Sequence, residues 1–525
     1  MVPFLGLAVM TYNSVYFLFF FFTFALFYFV LPGSLIKRIV ILTGNLSFYL
    51  LAAGFRPLVF ITGSYFLTCF VAHRIRSVYR LWEQESQSLS SKEKRLGFSQ
   101  CKKKVFPLLL VGIILILGSL ILTKAVRLAG GSAVKLIVPL GLSYYTLSCT
   151  GYLLDIYWGK IKTDPDPFGL LICITYFPII VQGPISRYEK LLKQFENPPG
   201  FDYSRVCFGL QRMLWGLIKK SVISDRISLY TTSVFSHLSE NAGLEILLAV
   251  LGNVAQLYTD FSGCMDIVIG ASQVIGISLD ENFREPFLAL SSQEFWRRWH
   301  ITLGQWFRDY VYMPIAMHPG HMKRVAAVRK KFGSRAGQAA ASAVPILTVW
   351  ILTGLWHGTG WGYLAWGIYW GLLILLETVF PESFLRFFKR IGFDTDSKGF
   401  HWLLRLRTLI CFSIGRMLTA LGSPWGLFRI LGRLFHQARL NVLFNGSLFS
   451  HGLDGKDFLL VLAGLFLVFF TDLFHDIKHT DLRTALARKP LPIRWVIYFG
   501  GIILLILTGI YGSNYDPGSF IYGGF

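Results

Sequence analysis

A chain of 525 residues that is 54% hydrophobic and 15% charged has too little polar surface to cover a string of soluble domains, and its apolar residues fall in runs long enough to enter a bilayer. The net charge of +22 does not indicate nucleic acid, because the basic residues sit in short clusters between apolar runs and no hydrophilic domain carries them. Anionic lipid headgroups and cytoplasmic retention of loops account for the charge, and seven cysteines without a C-x-x-C pair read as packing residues.

The first apolar run, 16–31, lacks the basic leader and small-residue cleavage site of a secretory signal and is expected to stay as a first span. Lys37 and Arg38 follow, then runs at 39–53 and 58–72. The polar segment 73–104 concentrates Arg74, Arg76, Arg80, Lys92, Lys94, Arg95 and Lys102 to Lys104. The positive-inside rule puts it in the cytoplasm, and counting back puts Lys37 and Arg38 inside and the N-terminus outside. Further spans are expected at 105–122, 134–157, 168–181, 206–223, 244–258 and 267–277. Several are short or interrupted. The stretches 179–187 (IIVQGPISR) and 260–266 (DFSGCMD) read as breaks, tolerable at membrane depth only where protein or a water-filled cavity covers the open backbone.

The segment 294–314, EFWRRWHITLGQWFRDYVYMP, reads as one amphipathic interfacial helix. At 100° per residue Trp296, Trp299, His300, Leu303, Trp306, Phe307 and Tyr310 share a face, and Arg297, Arg298, Gln305, Arg308 and Asp309 share the other. A basic loop at 323–335 is expected next, followed by a span ending at His357 and spans at 361–380, 403–421, 458–473 and 495–511. The total is about a dozen passages in a single polytopic domain, 1–525. The expected fold class is an all-α membrane helix bundle with re-entrant and interfacial helices, and no solenoid or inverted repeat is evident.

His357 closes the apolar run 344–356, where an ionisable group is costly unless used or paired. A neutral imidazole there can act as a general base, its ordinary pKa being about 6.5; the plainer reading is a histidine hydrogen-bonded inside a bundle. Gly354, Gly358, Gly360 and Gly362 around it would admit a ligand or a second backbone. His300 sits among aromatics, where a histidine more often packs than reacts. Asp260 and Asp266, with Tyr258 and Ser262, can orient a base, line an acceptor path or fix helix packing.

Two patterns suggest metal and fail on inspection. His318 and His321 are a pair three apart, and His475-Asp476-x-x-His479 has Asp where the zinc-protease pattern needs Glu and no obvious third ligand, so no metal is expected. There is no phosphate-binding P-loop, dinucleotide glycine fingerprint or G-x-S-x-G elbow.

The stretch 258–314, from YTDFSGCMD through EFWRRWHITLGQWFRDYVYMP, and GLWHGTGWGYLAWGIYWG at 354–371 resemble the signature region of membrane-bound O-acyltransferases. The branch is that of alginate O-acetylation protein I and the D-alanyl transfer protein B of teichoic acid modification. Segments at 141–159 and 176–195 are also similar, and the ending 515–525, YDPGSFIYGGF, favours the acetylating branch despite Gly523 and Gly524. After Pro314 this chain departs from the family in having Ala316, Met317, His318 and Pro319 in place of a glycine pair.

The resemblance implies a catalytic region at 258–371 and a cytoplasmic funnel that admits an acyl thioester, acetyl-CoA as a substrate or a carrier protein, with no bound cofactor. The acceptor is then a hydroxyl of an extracytoplasmic polysaccharide or of a hydrolase-like relay partner. It makes His357 the general base and His300 the donor-orienting or oxyanion-stabilising group. Arg297, Arg298, Trp296 and Trp299 are placed on the donor side with Lys323, and Asp260, Ser262 and Asp266 on the acceptor or support side. The alternatives are D-alanyl transfer from a phosphopantetheine carrier, and a channel or lipid transporter in which the histidines relay protons.

Overall fold

The computed structural model describes residues 10–128, 139–381, 383–421, 423–436 and 438–510; the aromatic ending 515–525 and the start of the 134–157 run lie outside them. Among the described residues there is no strand ladder, only an isolated antiparallel bridge between Phe283 and Trp299. Eight helices among the described residues are long and apolar enough to cross a membrane, and the chain is an all-α, multi-pass membrane protein. The described residues gather into two compact units, one of 10–128, 139–213 and 268–280, the other of 214–267 and 281–510.

The first unit begins with α1 (Val15–Val30), α2 (Ser34–Ala53), α3 (Leu58–Glu85), α4 (Ser91–Leu128) and α5 (Leu142–Tyr157). The polar segment 73–104 is largely helix, the end of α3 and the start of α4. The turn between them closes on a capping box in which Glu93 Oε2 accepts from the Ser90 N–H at 2.9 Å and Ser90 Oγ accepts from the Glu93 N–H at 3.4 Å. Val71, Ile75 and Tyr79 of α3 pack with Val105 and Leu109 of α4 and Leu153 and Ile156 of α5. The expected break near 179–187 is present. α6 (Pro167–Thr175) stops at Tyr176, a four-residue turn α7 (Phe177–Ile180) follows, and the chain then leaves helix until α8 (Tyr188–Glu196). Buried Asn45 of α2 covers the first interruption: its Nδ2 donates to the Ile172 carbonyl and its Oδ1 accepts from the Phe177 N–H at 2.9 Å.

α9 (Tyr203–Leu217) runs into a π-helical segment, Ile218–Ser224, and then α10 (Asp225–Ser236). In the second unit the expected break at 260–266 does not occur, since α11 runs unbroken from Gly243 to Val274. Here Gly216 and Gly263 meet backbone to backbone; a Cβ on Gly216 would lie 2.4 Å from the Gly263 carbonyl oxygen. In the wider π turn, consecutive Lys219 and Lys220 both reach α11. Polar residues that looked like an interruption are therefore paired in place, and the runs 244–258 and 267–277 are one helix.

The other corrections are in the second half. The 294–314 segment is not one helix but α12 (Ser292–Arg298), α13 (Ile301–Phe307), a π turn at Arg308–Tyr312 and α14 (Met313–Ala316). The basic stretch 323–335 is not a loop. It lies mostly in α15 (Pro319–Phe332), which starts with proline where no amide hydrogen is needed and ends at Gly333 with φ 87°. α16 (Ser334–His357) and α17 (Trp361–Val379) form a close hairpin in which a Cβ on Gly354 would lie 2.5 Å from the Tyr363 carbonyl oxygen. That glycine admits a second backbone, one of the two uses expected for it. After the short α18 (Ser383–Arg390) come α19 (Lys398–Ala420), α20 (Trp425–His436), α21 (Gly455–Lys478), α22 (Leu482–Ala487) and α23 (Leu491–Thr508). Among the described residues, finding eight rather than about a dozen long apolar helices reflects the merger in α11 and short or charged helices such as α5, α6 and α19.

Candidate functional site

The site is built on the interruption between α12 and α13. α12 starts at Ser291, whose Oγ accepts from the Glu294 N–H at 3.1 Å, while Glu377 of α17 accepts from the Ser292 and Gln293 amides at 3.2 and 3.0 Å. The helix ends at Arg298 because the next residues bond elsewhere. Trp299 is extended and bridges to Phe283, the Arg298 carbonyl accepts from the Arg284 N–H at 2.9 Å, and the Ile301 N–H donates to the Asn282 carbonyl at 3.1 Å. Between these contacts His300 sits at φ 47°, ψ 50°, the left-handed region that L side chains disfavour.

The burial pattern expected of one continuous helix survives its interruption. Trp299, His300, Leu303, Trp306, Phe307 and Tyr310 are buried, whereas Arg297, Gln305 and Arg308 are exposed. His300 is 3% exposed, with the ring of Phe261 at 4.8 Å and that of Trp356 at 6.1 Å. Burial holds its imidazole pKa down to about 3, so the ring is neutral at physiological pH and offers one N–H and one acceptor nitrogen.

His357 is the last residue of α16 and is 5% exposed. Its ring lies edge-on to Trp356 at 4.8 Å and to Trp366 at 5.2 Å. Trp356 thus touches both histidines. Trp366 continues into an indole cluster with Trp296, Trp350 and Trp370, in which Trp296 lies 4.8 Å from Trp350 and 5.0 Å from Trp370. Trp299 belongs to a neighbouring aromatic group with Tyr258, Phe283, Phe295 and Phe412. The two tryptophans of the WRRWH motif thus fall in two aromatic groups, and Trp296 approaches His357 through Trp366.

The arginines of the same motif separate. Arg297 is exposed, and Arg298 is held by Glu294 at 2.6 Å and by Asp476 at 3.0 Å. Lys323 is exposed on α15. Asp260, Ser262 and Asp266 form a second, buried constellation: Lys220 Nζ lies 2.7 Å from Asp260 and 2.8 Å from Asp225, and Lys219 Nζ donates to Ser262 at 3.0 Å and pairs with Asp266 at 2.5 Å. In the H-D-x-x-H pattern His475 pairs with Glu285 and Asp476 with Arg298, and His318 Nδ1 accepts from the Gly320 N–H at 3.2 Å.

Residues that the sequence did not single out complete the picture. Lys219 and Lys220 carried a readable signal, two adjacent lysines inside an apolar run. Asp472, which accepts from Tyr258 Oη at 2.7 Å, was an acid within the expected 458–473 span. Asn282 carried no signal, since its role depends on a turn that the local sequence does not announce.

Residues 159–396 match the profile of the membrane-bound O-acyltransferase family. The chain is 29% identical over 321 residues to a probable alginate O-acetylase, AlgI, of Pseudomonas syringae pv. tomato, which covers 60% of this chain and 52% of that protein. It is 28% identical over 278 residues to a peptidoglycan O-acetyltransferase of Helicobacter pylori, covering 48% and 50%. It is 29% identical over 250 residues to a teichoic acid D-alanyltransferase of Bacillus subtilis, covering 47% and 61%. This chain spans about half the length of the relatives it matches. The matched stretch contains α11, the α12–α13 turn and the α16–α17 hairpin, hence His300, Trp356 and His357 together, and over this stretch the chain is similar to the membrane-bound O-acyltransferase family.

Proposed function

We propose that this protein transfers an acetyl group from acetyl-CoA on the cytoplasmic side of the cell membrane to a hydroxyl of an extracytoplasmic polysaccharide or relay protein. The observation that carries the reading is the meeting of His300 and His357 on Trp356, away from bulk water. His357 takes the acceptor's proton as its oxygen attacks the thioester carbonyl. The cation so formed lies at the carbonyl end of α16, where a helix favours positive charge. The neutral N–H of His300 donates to the carbonyl oxygen as it becomes an oxyanion. Collapse breaks the carbon–sulfur bond, the proton returns from His357 to the thiolate, and an ester and free thiol remain. Relatives named for O-acetylation of alginate and peptidoglycan support acetyl as the group moved.

The direct test is purified protein with radiolabelled acetyl-CoA and, separately, a D-alanyl carrier thioester, each with a surface polysaccharide acceptor. Label transferred from acetyl-CoA supports the proposal. Transfer only from the carrier establishes the D-alanyl reading, and transfer from neither returns the protein to a channel or lipid-transport role. In the same assay Arg297→Glu is expected to raise the donor KM and flatten its salt dependence with little change in kcat. An exposed charge acts by steering, which salt screens over about 8 to 10 Å. Arg298→Glu is expected instead to reduce folded protein, because it repels Glu294 and Asp476. Equal donor KM and salt slope for wild type and Arg297→Glu would leave Arg297 as a lipid anchor only.

The proposed orientation has the N-terminus outside, with the α3–α4 turn and the basic α15 in the cytoplasm, where Lys and Arg are retained. Cysteines introduced at Ser88 and Ser334 should resist impermeant thiol reagents in intact cells and react after permeabilisation. Labelling of either from outside reverses the side on which the donor enters.

A further inference from the structure

We propose that Asn282 is a positioning residue for His300, holding it in its left-handed conformation and so aiming the imidazole at the reaction centre. The inference rests on the role proposed for His300 above. His300 occupies the N-cap position of α13 yet makes no capping bond of its own. The cap comes from elsewhere in the chain: Asn282 Oδ1 accepts from the Thr302 N–H at 3.0 Å and from Thr302 Oγ1 at 2.7 Å, and the Asn282 carbonyl accepts from the Ile301 N–H at 3.1 Å. A backbone N–H can only donate, so the oxygen of the carboxamide must face Thr302. The nitrogen then faces α11, where it lies 3.1 Å from Met265 Sδ, one helical turn from the Phe261 ring that packs on His300.

Asn282 is fully buried, and every one of these contacts lies on the two residues after His300 or on the helix beneath it. A non-glycine residue keeps a left-handed backbone only where its surroundings over-determine it. Here the determinants are the antiparallel bridge before His300 and the Asn282 cap after it. Because the cap is supplied by Asn282, the imidazole does not turn back onto its own helix. It faces Phe261 and Trp356, and through Trp356 the ring of His357.

The test is a double-mutant cycle on the purified full chain with Asn282→Ala, His300→Gly and both together, read by thermal unfolding and by kcat with acetyl-CoA. Glycine adopts the left-handed region without penalty. Asn282→Ala should therefore lower the melting temperature of the otherwise wild-type chain, and less than half as much when made in the His300→Gly variant. Asn282→Ala should also lower kcat about 10- to 100-fold, the loss that small misplacement of a reacting group produces, with the donor KM changed far less. In the His300→Gly background it should cost no further kcat.

Equal losses of melting temperature in both backgrounds, or kcat losses that multiply, would show that Asn282 serves the core at large and overturn the inference. The melting cycle needs no substrate. Wild-type protein that fails to transfer acetyl therefore defeats the proposed function, while the melting cycle still decides what Asn282 does. Should Asn282→Ala not fold, Thr302→Val removes one of the two side-chain bonds at similar volume. It should cost about fivefold in kcat, the worth of one buried hydrogen bond, and Thr302→Ser should not; the same loss in both variants overturns the inference.

Discussion

His357→Ala is expected to lower acyl transfer by about 10²- to 10⁴-fold, the usual contribution of a positioned general base, while the protein still inserts and folds. Two observations separate chemistry from packing at this position. His357 ends α16, so its truncation leaves the backbone of the helix intact, and Trp366, on which its ring rests, remains packed on Trp296 and Trp350. A melting temperature close to wild type with transfer lost is the expected result. His300→Ala should lose less, about 10²- to 10³-fold, as expected of one oxyanion donor. Near-normal acylation by well-folded His357→Ala protein would remove His357 from the mechanism, and a His300→Ala loss exceeding it would exchange the two roles.

The largest effect on stability is expected at Lys220, which is 1% exposed and shared between Asp225 and Asp260. Lys220→Met leaves two buried carboxylates without their common cation, and breaking a buried pair by removing one partner costs about 3 to 5 kcal/mol. Asp260→Asn leaves Lys220 still bound to Asp225 and should cost about 1 to 3 kcal/mol, the scale of a hydrogen bond to a charged group. Thermal unfolding of the two purified variants checks the order. Lys220→Met protein as stable as Asp260→Asn would mean that the shared cation is dispensable, and with it the reason offered for an unbroken α11.

The WRRWH segment shows what local pattern conveys and what it does not. The alternation of aromatic and basic residues sorted buried from exposed positions correctly across most of 296–310, because a side chain's preference for the interior does not depend on whether the backbone beneath it is continuous. The interruption at Trp299 and His300 has no proline or glycine to announce it. It arises because residues 282–284 supply backbone partners that replace the intrahelical ones. The opposite error occurred in α11. Asp260, Ser262 and Asp266 looked like a break because unpaired acids cannot stay at membrane depth, and the structure pairs them with two lysines from a segment about 40 residues earlier in the chain.

By itself the sequence determined the membrane class and the position of most long apolar helices, and it singled out the family resemblance and the two histidines, since each is written in composition, in apolar run length or in a contiguous motif. Only the tertiary structure decided that His300 and His357 share Trp356, that Arg298 is tied to Asp476 while Arg297 is exposed, that Lys219 and Lys220 pair with the acids of α11 and that Asn282 caps the start of α13. The physical reason is the same in each case. Burial preference is a property of one residue and can be read locally. A pairing is a property of two residues brought together by the fold, and neither of them carries the identity of the other.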